Sequence, residues 1–465
     1  MSDDPWLGDA VSLVDAFRAG ERHPREELEA TLAAVEASRL NAVCHIDGDG
    51  ARAAAERADI EAPFGGVPLA VKELRAVAGW PLTQASLPLA DRRAEQDSTV
   101  VSRLRAAGAI PAVQTTSSEF GGINQTNTRI HGATRNPWNS ERTPGGSSGG
   151  SAAGVAGGLF ALATGSDGGG SIRIPAGFTG LVGLKPTYGR VPKGPAAQLG
   201  NITSVWLCVS RSVRDTARFL DVVNGFDSRD PLSLPRVDGW ERNLGAAPGD
   251  LRSLRAAVAP DLGTAVISSE TEAMVVAAAE ELIAATGMKR VDLKPAIPSM
   301  TEAWALTGVV GYRQALGELW PRCAPELTGI MRRGIELAYE HLGVDSLVMA
   351  EERRTACNEA MADIFDSVDV VIAATNPHTA FAAEGHLPSV FGDREAHPGN
   401  HGALTIPANI YGSPAISVPI GLASDGLPVG MQILAPHHGE AQLLDIALSW
   451  ERHSPWPLTA PGAPW

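Results

Sequence analysis

Residues 145–173 limit what this chain can fold into more than any other stretch. The segment opens Gly-Gly-Ser-Ser-Gly-Gly-Ser and closes Asp-Gly-Gly-Gly-Ser-Ile-Arg. Composition of that kind, taken alone, describes a flexible linker. Between the two glycine runs, however, residues 152–163 are small and apolar and carry no charge, so they must be buried. Ile172, Ile174, Phe178, Leu181, Val182 and Leu184 continue the apolar content beyond the second run. A linker is not followed by that much core, and the two glycine runs therefore read as turns held inside a fold.

Gly145, Gly146, Gly149 and Gly150, and then Gly168, Gly169 and Gly170, allow backbone conformations closed to other residues. They also let several N–H groups converge on one point. Such a concavity holds an anion, either a phosphate or the oxyanion of an acyl-transfer intermediate. No Gly-Lys-Ser/Thr completes a P-loop and no Gly-x-Gly-x-x-Gly is present, so a phosphate-binding glycine loop is the weaker reading. Serines inside the concavity, Ser147 and Ser171, point to acyl chemistry. The match of residues 145–149 to the Gly-x-Ser-x-Gly nucleophile elbow is a decoy. That elbow follows a hydrophobic strand, whereas residues 135–144 form a polar, turn-rich loop.

These motifs, together with Gly180-Leu-Val-Gly-Leu-Lys-Pro-Thr187, resemble the amidase signature family. The similarity extends upstream to Gly66-Val-Pro-Leu-Ala-Val-Lys72, and downstream to Asn409-Ile-Tyr-Gly-Ser-Pro-Ala415 and Gly426-Leu-Pro-Val-Gly-Met-Gln432. It covers almost the whole chain. The resemblance implies hydrolysis of a carboxylic amide, extending to esters, through an acyl-enzyme on Ser171. Lys72 matches the family's base. Ser147 matches its bridging serine, whose preceding peptide bond is cis in the family. Residues Gly168, Gly169, Gly170 and Ser171 would form the oxyanion hole, with Asp167 and Arg173 as supporting groups. Most members follow the lysine with Asp, where this chain has Glu73.

The residues themselves agree with part of this. Lys72 ends a continuous apolar run, so at least its stem is buried. A catalytic base must be neutral, and a lysine becomes so near pH 7 only through desolvation. Taken alone, Lys72 would be a solvated strand-end lysine, Ser147 a turn serine, Ser171 a helix N-cap, and Asp167 with Arg173 an ordinary ion pair. Ser148 and Ser151 have no expected chemistry beyond turn and cap hydrogen bonds. The eleven histidines are expected mostly at the surface, including His378, His386, His397 and His401.

The resemblance implies an α/β fold with a large mixed, mostly parallel central sheet covered by helices on both faces. Alternating strand and helix patterns agree. Helices are expected from Val11, Val14 and Phe17 to the stop at Gly20, from Pro24 through Val35, and over 51–59. Strands are expected over 42–46, 66–71 and 109–114, with Asp97 and Ser98 capping the helix that ends at Gly108. Beyond the glycine stretch come a helix over 213–224 and a strand over 255–259. A Ser269-x-x-Glu272 capping box opens a helix stopped by Gly287. Strands over 290–293, 369–373, 416–420 and 429–434 and a helix from Glu440 follow, with residues 376–412 as long loops. A single domain of 465 residues is expected: a helical wrap over 1–60, a catalytic core over 61–260, a variable helical substrate region over 296–365, and a closing part over 366–465. Trp304, Tyr312, Trp320 and Tyr339 in the variable region make an aryl or bulky acyl group a reasonable substrate part.

A net charge of −15 argues against a nucleic-acid partner. No apolar run reaches membrane-spanning length. Cys44, Cys208, Cys323 and Cys357 are far apart, which fits reduced thiols, a cytoplasmic location and no metal. No cofactor is expected, and residues 1–60 offer a surface for a homodimer. The rival reading within the family is the glutaminase component of a tRNA-dependent amidotransferase. Against it, residues 301–345 do not resemble the glutamine site of those components.

Overall fold

The computed structural model describes residues 4–195, 197, 202–246 and 250–465. Its strands, in chain order, are β1 (Val43–Ile46), β2 (Pro68–Lys72), β3 (Ile110–Thr115), β4 (Asn127–Thr128), β5 (Gly132–Ala133), β6 (Leu162–Asp167), β7 (Gly183–Lys185), β8 (Val205–Val209), β9 (Arg255–Val258), β10 (Lys289–Val291), β11 (Val370–Ala374), β12 (Val390–Phe391), β13 (Arg394–Glu395), β14 (Ala415–Leu422) and β15 (Pro428–Leu434). Two small hairpins, β4–β5 and β12–β13, stand apart. The other strands form one ladder set in the order β1-β3-β2-β6-β8 and a second in the order β10-β9-β11-β15-β14-β7. Val182 and Ser210 exchange two backbone hydrogen bonds, of 2.9 and 3.1 Å, and this bridge joins the two sets at β7 and β8.

The sheet is mixed, with helices flanking it, as the sequence implies. Its pairing departs from mostly parallel in one respect. The β3–β2–β6 and β11–β9–β10 wings are parallel, while β6–β8, β7–β14, β14–β15 and β11–β15 in the middle, and the edge pair β1–β3, are antiparallel. The reason is local: β14 and β15 are joined by a tight turn through Asp425 and Gly426, and a short turn returns a chain only antiparallel.

Each β2 residue is buried, as a continuous Pro-Leu-Ala-Val-Lys run inside a covered parallel wing requires. One hydrophobic cluster runs from Ala10 in the first helix to Trp450 in the last. The helix Arg173–Thr179 is pressed hard against β15. A Cβ on Gly430 would come 2.8 Å from the Gly177 Cα, so position 430 must stay glycine for the helix to lie where it does. That contact fixes the start of the helix, and with it the second glycine run, against the sheet.

Other expectations moved by a few residues. The helix expected over 51–59 is Gly48–Ala55, started by the Asp47 side chain accepting from Gly50 N–H. Ser268, not Ser269, caps Ser269–Thr286, because its Oγ accepts from Thr271 N–H while Ser269 hydrogen-bonds Asp393. The loop region 376–412 contains a helix, Ile406–Tyr411. Its signals, Pro407 in the first turn and Gly412 as a left-handed C-cap, are present in the sequence. Among the described residues no helix is long and apolar enough to cross a membrane, and all four cysteines are free thiols.

Candidate active site

Lys72 is the last residue of β2, Asp167 the last of β6, and Ser171 follows four residues later. Both strands point their carboxyl ends at one place, where parallel sheets hold their ligands. The Lys72 side chain is completely buried. Its Nζ lies 2.8 Å from Ser147 Oγ, 2.9 Å from Ser148 Oγ and 3.0 Å from Ser166 Oγ. Among the described residues no carboxylate comes within ion-pairing distance of it. Burial pushes its pKa well below the ordinary lysine value and Arg75 pushes it further, against weaker opposing pulls from Asp167 and Glu73.

Hydrogen-bond bookkeeping fits a neutral amine here. A neutral amine donates twice and accepts once. Ser148 Oγ can place its own proton on Ser166 O, 3.4 Å away, and so accept from Lys72. Ser166 Oγ accepts the second N–H, leaving the nitrogen lone pair for the Ser147 hydroxyl. The Gly146–Ser147 peptide bond is cis, as the resemblance implied.

Ser148 N–H donates to Ser171 O at 3.3 Å, which brings the two glycine runs together. The Ser171 side chain is almost fully enclosed, and its Oγ makes no hydrogen bond among the described residues. It caps nothing, since the N-cap position of Arg173–Thr179 is Ile172 and no side chain caps it from there. The structure thus places Lys72, Ser147 and Ser171 in one site. It joins the first two by a hydrogen bond and leaves the third hydroxyl uncommitted.

Asp167 takes over the helix start. Its carboxylate accepts from Gly170 N–H at 2.7 Å, Ile172 N–H at 3.3 Å and Arg173 N–H at 3.4 Å. One member of the expected oxyanion hole is thereby corrected: the Gly170 N–H is spent on Asp167, which accepts it at 2.7 Å. The N–H groups of Gly168, Gly169 and Ser171 have no partner among the described residues. The first glycine run is no anion nest either. Gly145, Ser148 and Gly150 all donate to protein oxygens, which weakens the phosphate reading at the first run.

Arg173 and Asp167 are both fully buried and paired side-on, at 3.0 and 3.1 Å. Burial would raise the Asp167 carboxyl, but Arg173, Asn409 and Lys185 together hold it well below the usual range. Arg173 also donates to Asn409 Oδ1, Thr405 O and Gln432 Oε1, and Asn409 Nδ2 returns a bond to Asp167 Oδ1. Thr405 Oγ1 donates to Gly169 O at 2.7 Å, and Trp304 Nε1 donates to Gly168 O at 2.5 Å. The carbonyls of the loop are thereby held away from the site. Glu73, the departure from Asp, is buried and accepts from Ser117 N–H, Thr83 Oγ1 and His131 Nε2. It braces the loop whose Ser118 N–H donates to Ser147 O.

Of the four aromatic residues in the variable region, two reach this site. The Trp304 ring packs on Gly169, and Tyr312 stacks on Phe120 beside Gly121 and Gly122. A Cβ on Gly121 would lie 3.4 Å from Ser147 Oγ, so this aromatic pair borders the serines. Trp320 and Tyr339 stack on each other instead. Burial raises the Tyr312 phenol to about 12, so it is a neutral wall. Two histidines expected at the surface, His378 and His401, pack together with Phe381 and Phe391 because that loop folds back as a small aromatic cluster. His386 and His397 are exposed as expected. Ser148 and Ser166 at the lysine were missed. Only the alternation of β6, with Thr164 and Ser166 on one face, hinted at the second.

The family model for amidases matches residues 26–444. The chain belongs to the amidase family. The acylamidase of Rhodococcus erythropolis is 33% identical to this amidase over 97% of this chain and 96% of that protein. A glutamyl-tRNA(Gln) amidotransferase component from Synechococcus sp. (strain RCC307) is 35% identical over 97% and 98%. Among solved structures, a bacterial aryl acylamidase of the amidase signature family superposes with a TM-score of 0.90 at 29% identity, covering 97% of each chain. As an amidase, the chain is an enzyme that hydrolyses amide bonds.

Proposed function

We propose that this amidase works through an acyl-enzyme on Ser171, with Ser147 as proton bridge and Lys72 as general base. The observation that carries the reading is the buried lysine ringed by three serine hydroxyls and no acid. Neutral Lys72 takes the Ser147 proton while Ser147 takes that of Ser171, as Ser171 Oγ attacks the amide carbonyl. The oxyanion is received by the free N–H groups of Gly168, Gly169 and Ser171, each such donor contributing about 3 kcal/mol in comparable sites. The proton returns by the same path to the leaving nitrogen, and water then attacks the acyl-enzyme. Asp167 and Arg173 hold the loop and take no proton. We read the chain as one cytoplasmic domain, since the main core cluster draws on residues from Ala10 to Trp450 and the four cysteines are free thiols.

The test is partition of the acyl group. Hydroxylamine should compete with water, and an amide and an ester of one acyl group should give the same ratio of hydroxamate to acid. Ser171→Ala should abolish both products by about four orders of magnitude or more. Ratios that differ between leaving groups would contradict the shared intermediate.

A second reading, one component of an amidotransferase, is favoured by the 35% identity to such a protein. Hydrolysis of small amides by the purified chain alone would decide for the free-standing enzyme. Activity only with added partner chains would decide against it.

A further inference from the structure

Arg75 lies three residues beyond Lys72, its N–H donating to Lys72 O at 2.8 Å. Its guanidinium carbon sits 3.3 Å from the centroid of the Trp206 ring, a close cation–π stack. Trp206 pairs with Ser166 across β6 and β8, and cross-strand partners share a face of the sheet. Ser166 Oγ is a partner of the Lys72 amine. The Trp206–Arg75 stack therefore stands next to the serines and the lysine.

This arginine has no acid to answer it. Its Nε is enclosed without an acceptor, and none of its nitrogens makes a side-chain hydrogen bond or ion pair among the described residues. Burial alone pulls the guanidinium well below its ordinary value, with no anion to offset the pull. The two carboxylates nearest in the chain and the site are already used. Glu73 is taken by Ser117, Thr83 and His131, and Asp167 by Arg173, Asn409 and Gly170. A second cation, Lys193, lies close enough to feel Arg75. A half-buried cation whose Nε is enclosed and which has no counter-ion is costly to keep unless something brings the anion. A stacked guanidinium with its edge free is the geometry that receives a carboxylate through two parallel N–H donors.

We propose that Arg75 is the docking point for a carboxylate on the substrate, so that the preferred amides of this enzyme are acids. The proposal rests on the reading of Lys72, Ser147 and Ser171 as the reacting centre. The carboxylate belongs to either the acyl part or the amine part, and substrate pairs tell the two apart. Glutaramate against pentanamide tests the acyl side, and N-acetylglycinate against N-ethylacetamide tests the amine side.

Wild-type protein should favour the acid of one pair by about 10- to 100-fold in kcat/KM, the worth of a hydrogen-bonded charge. Arg75→Gln should bring that ratio towards one, chiefly through KM, and Arg75→Lys should keep part of it. No preference in either pair would overturn the proposal. So would an Arg75→Gln protein in which both members of a pair slow alike and the ratio survives, since Arg75 would then only cover Trp206 or tune Lys72. Calorimetric titration of the Ser171→Ala protein with glutaramate and N-acetylglycinate reads the docking without turnover. Binding lost on adding Arg75→Gln supports the inference even if no amide is hydrolysed, an outcome that would sink the acyl-enzyme instead. Ser171-dependent hydrolysis with no acid preference does the reverse.

Discussion

Two buried cationic groups flank the glycine loop at 168–170, and the fold treats them in opposite ways. Lys72 is given only hydroxyls, with no acid in ion-pairing range. Arg173 is given a side-on carboxylate, two side-chain amide oxygens and a backbone carbonyl. A charge taken out of water must be either neutralised or paired. On the proposed mechanism the lysine is neutralised and so can act as a base, while the arginine is paired and acts as a strut. That reading puts chemistry on one side of the loop and stability on the other.

Replacing each cation by methionine should break that symmetry most visibly. Lys72→Met should remove activity by about four orders of magnitude, as loss of one member of a relay does, while the fold keeps its unfolding midpoint or gains a little. Arg173→Met should do the opposite in its first effect, costing about 3–5 kcal/mol of stability because Asp167 is left buried without its paired guanidinium. Adding Asp167→Asn to Arg173→Met sharpens the test: it should recover part of that loss by removing the stranded charge. Denaturant melts of the three proteins check this. An Arg173→Met protein as stable as wild type would end the strut assignment.

A pH-dependent effect distinguishes the loop cluster from both. His378 and His401 are pulled down to about 4, chiefly by burial, from an ordinary value near 6.5. Folded, both stay neutral, whereas the unfolded chain takes up their protons below about 6.5. Stability should therefore fall as pH drops from 6.5 towards 4 and level off below that, by at most about 1.4 kcal/mol per pH unit for each histidine. Thermal melts between pH 7 and 4.5 should show the slope, and His401→Asn should reduce it. An unchanged slope would place the acid sensitivity elsewhere.

Much of this was legible before any coordinates. An apolar run bounded by glycines reads as a buried strand that takes at least the stem of its last lysine inside, and β2 is that strand. The glycine runs had to sit inside the core because of the uncharged segment between them. What was not legible depends on long-range placement. Ser148 and Ser166 meet Lys72 only because a strand and a cis turn converge on it. Thr405 and Asn409 brace the loop from more than 230 residues away, inside a segment read as loop. The spent N–H of Gly170 could not be foreseen, since it depends on how the turn after β6 folds back onto the Asp167 carboxylate. Nothing in the sequence around Arg75 signals its stack on Trp206, which lies on a strand more than a hundred residues away.

The central claim, that Lys72 is neutral where the enzyme works, can be read directly. The chain has only five lysines, so lysine side chains labelled with 13C at Cε and 15N at Nζ give a spectrum with few resonances. The signal missing from Lys72→Met identifies the group, and its shift is followed with pH. Lys185 and Lys193 provide internal comparison, since burial brings them to about 7 and about 8. The account predicts that the Lys72 signal loses its proton well below the ordinary lysine value and is that of a free amine at neutral pH. A Lys72 signal that stays that of an ammonium up to about pH 10 would contradict it.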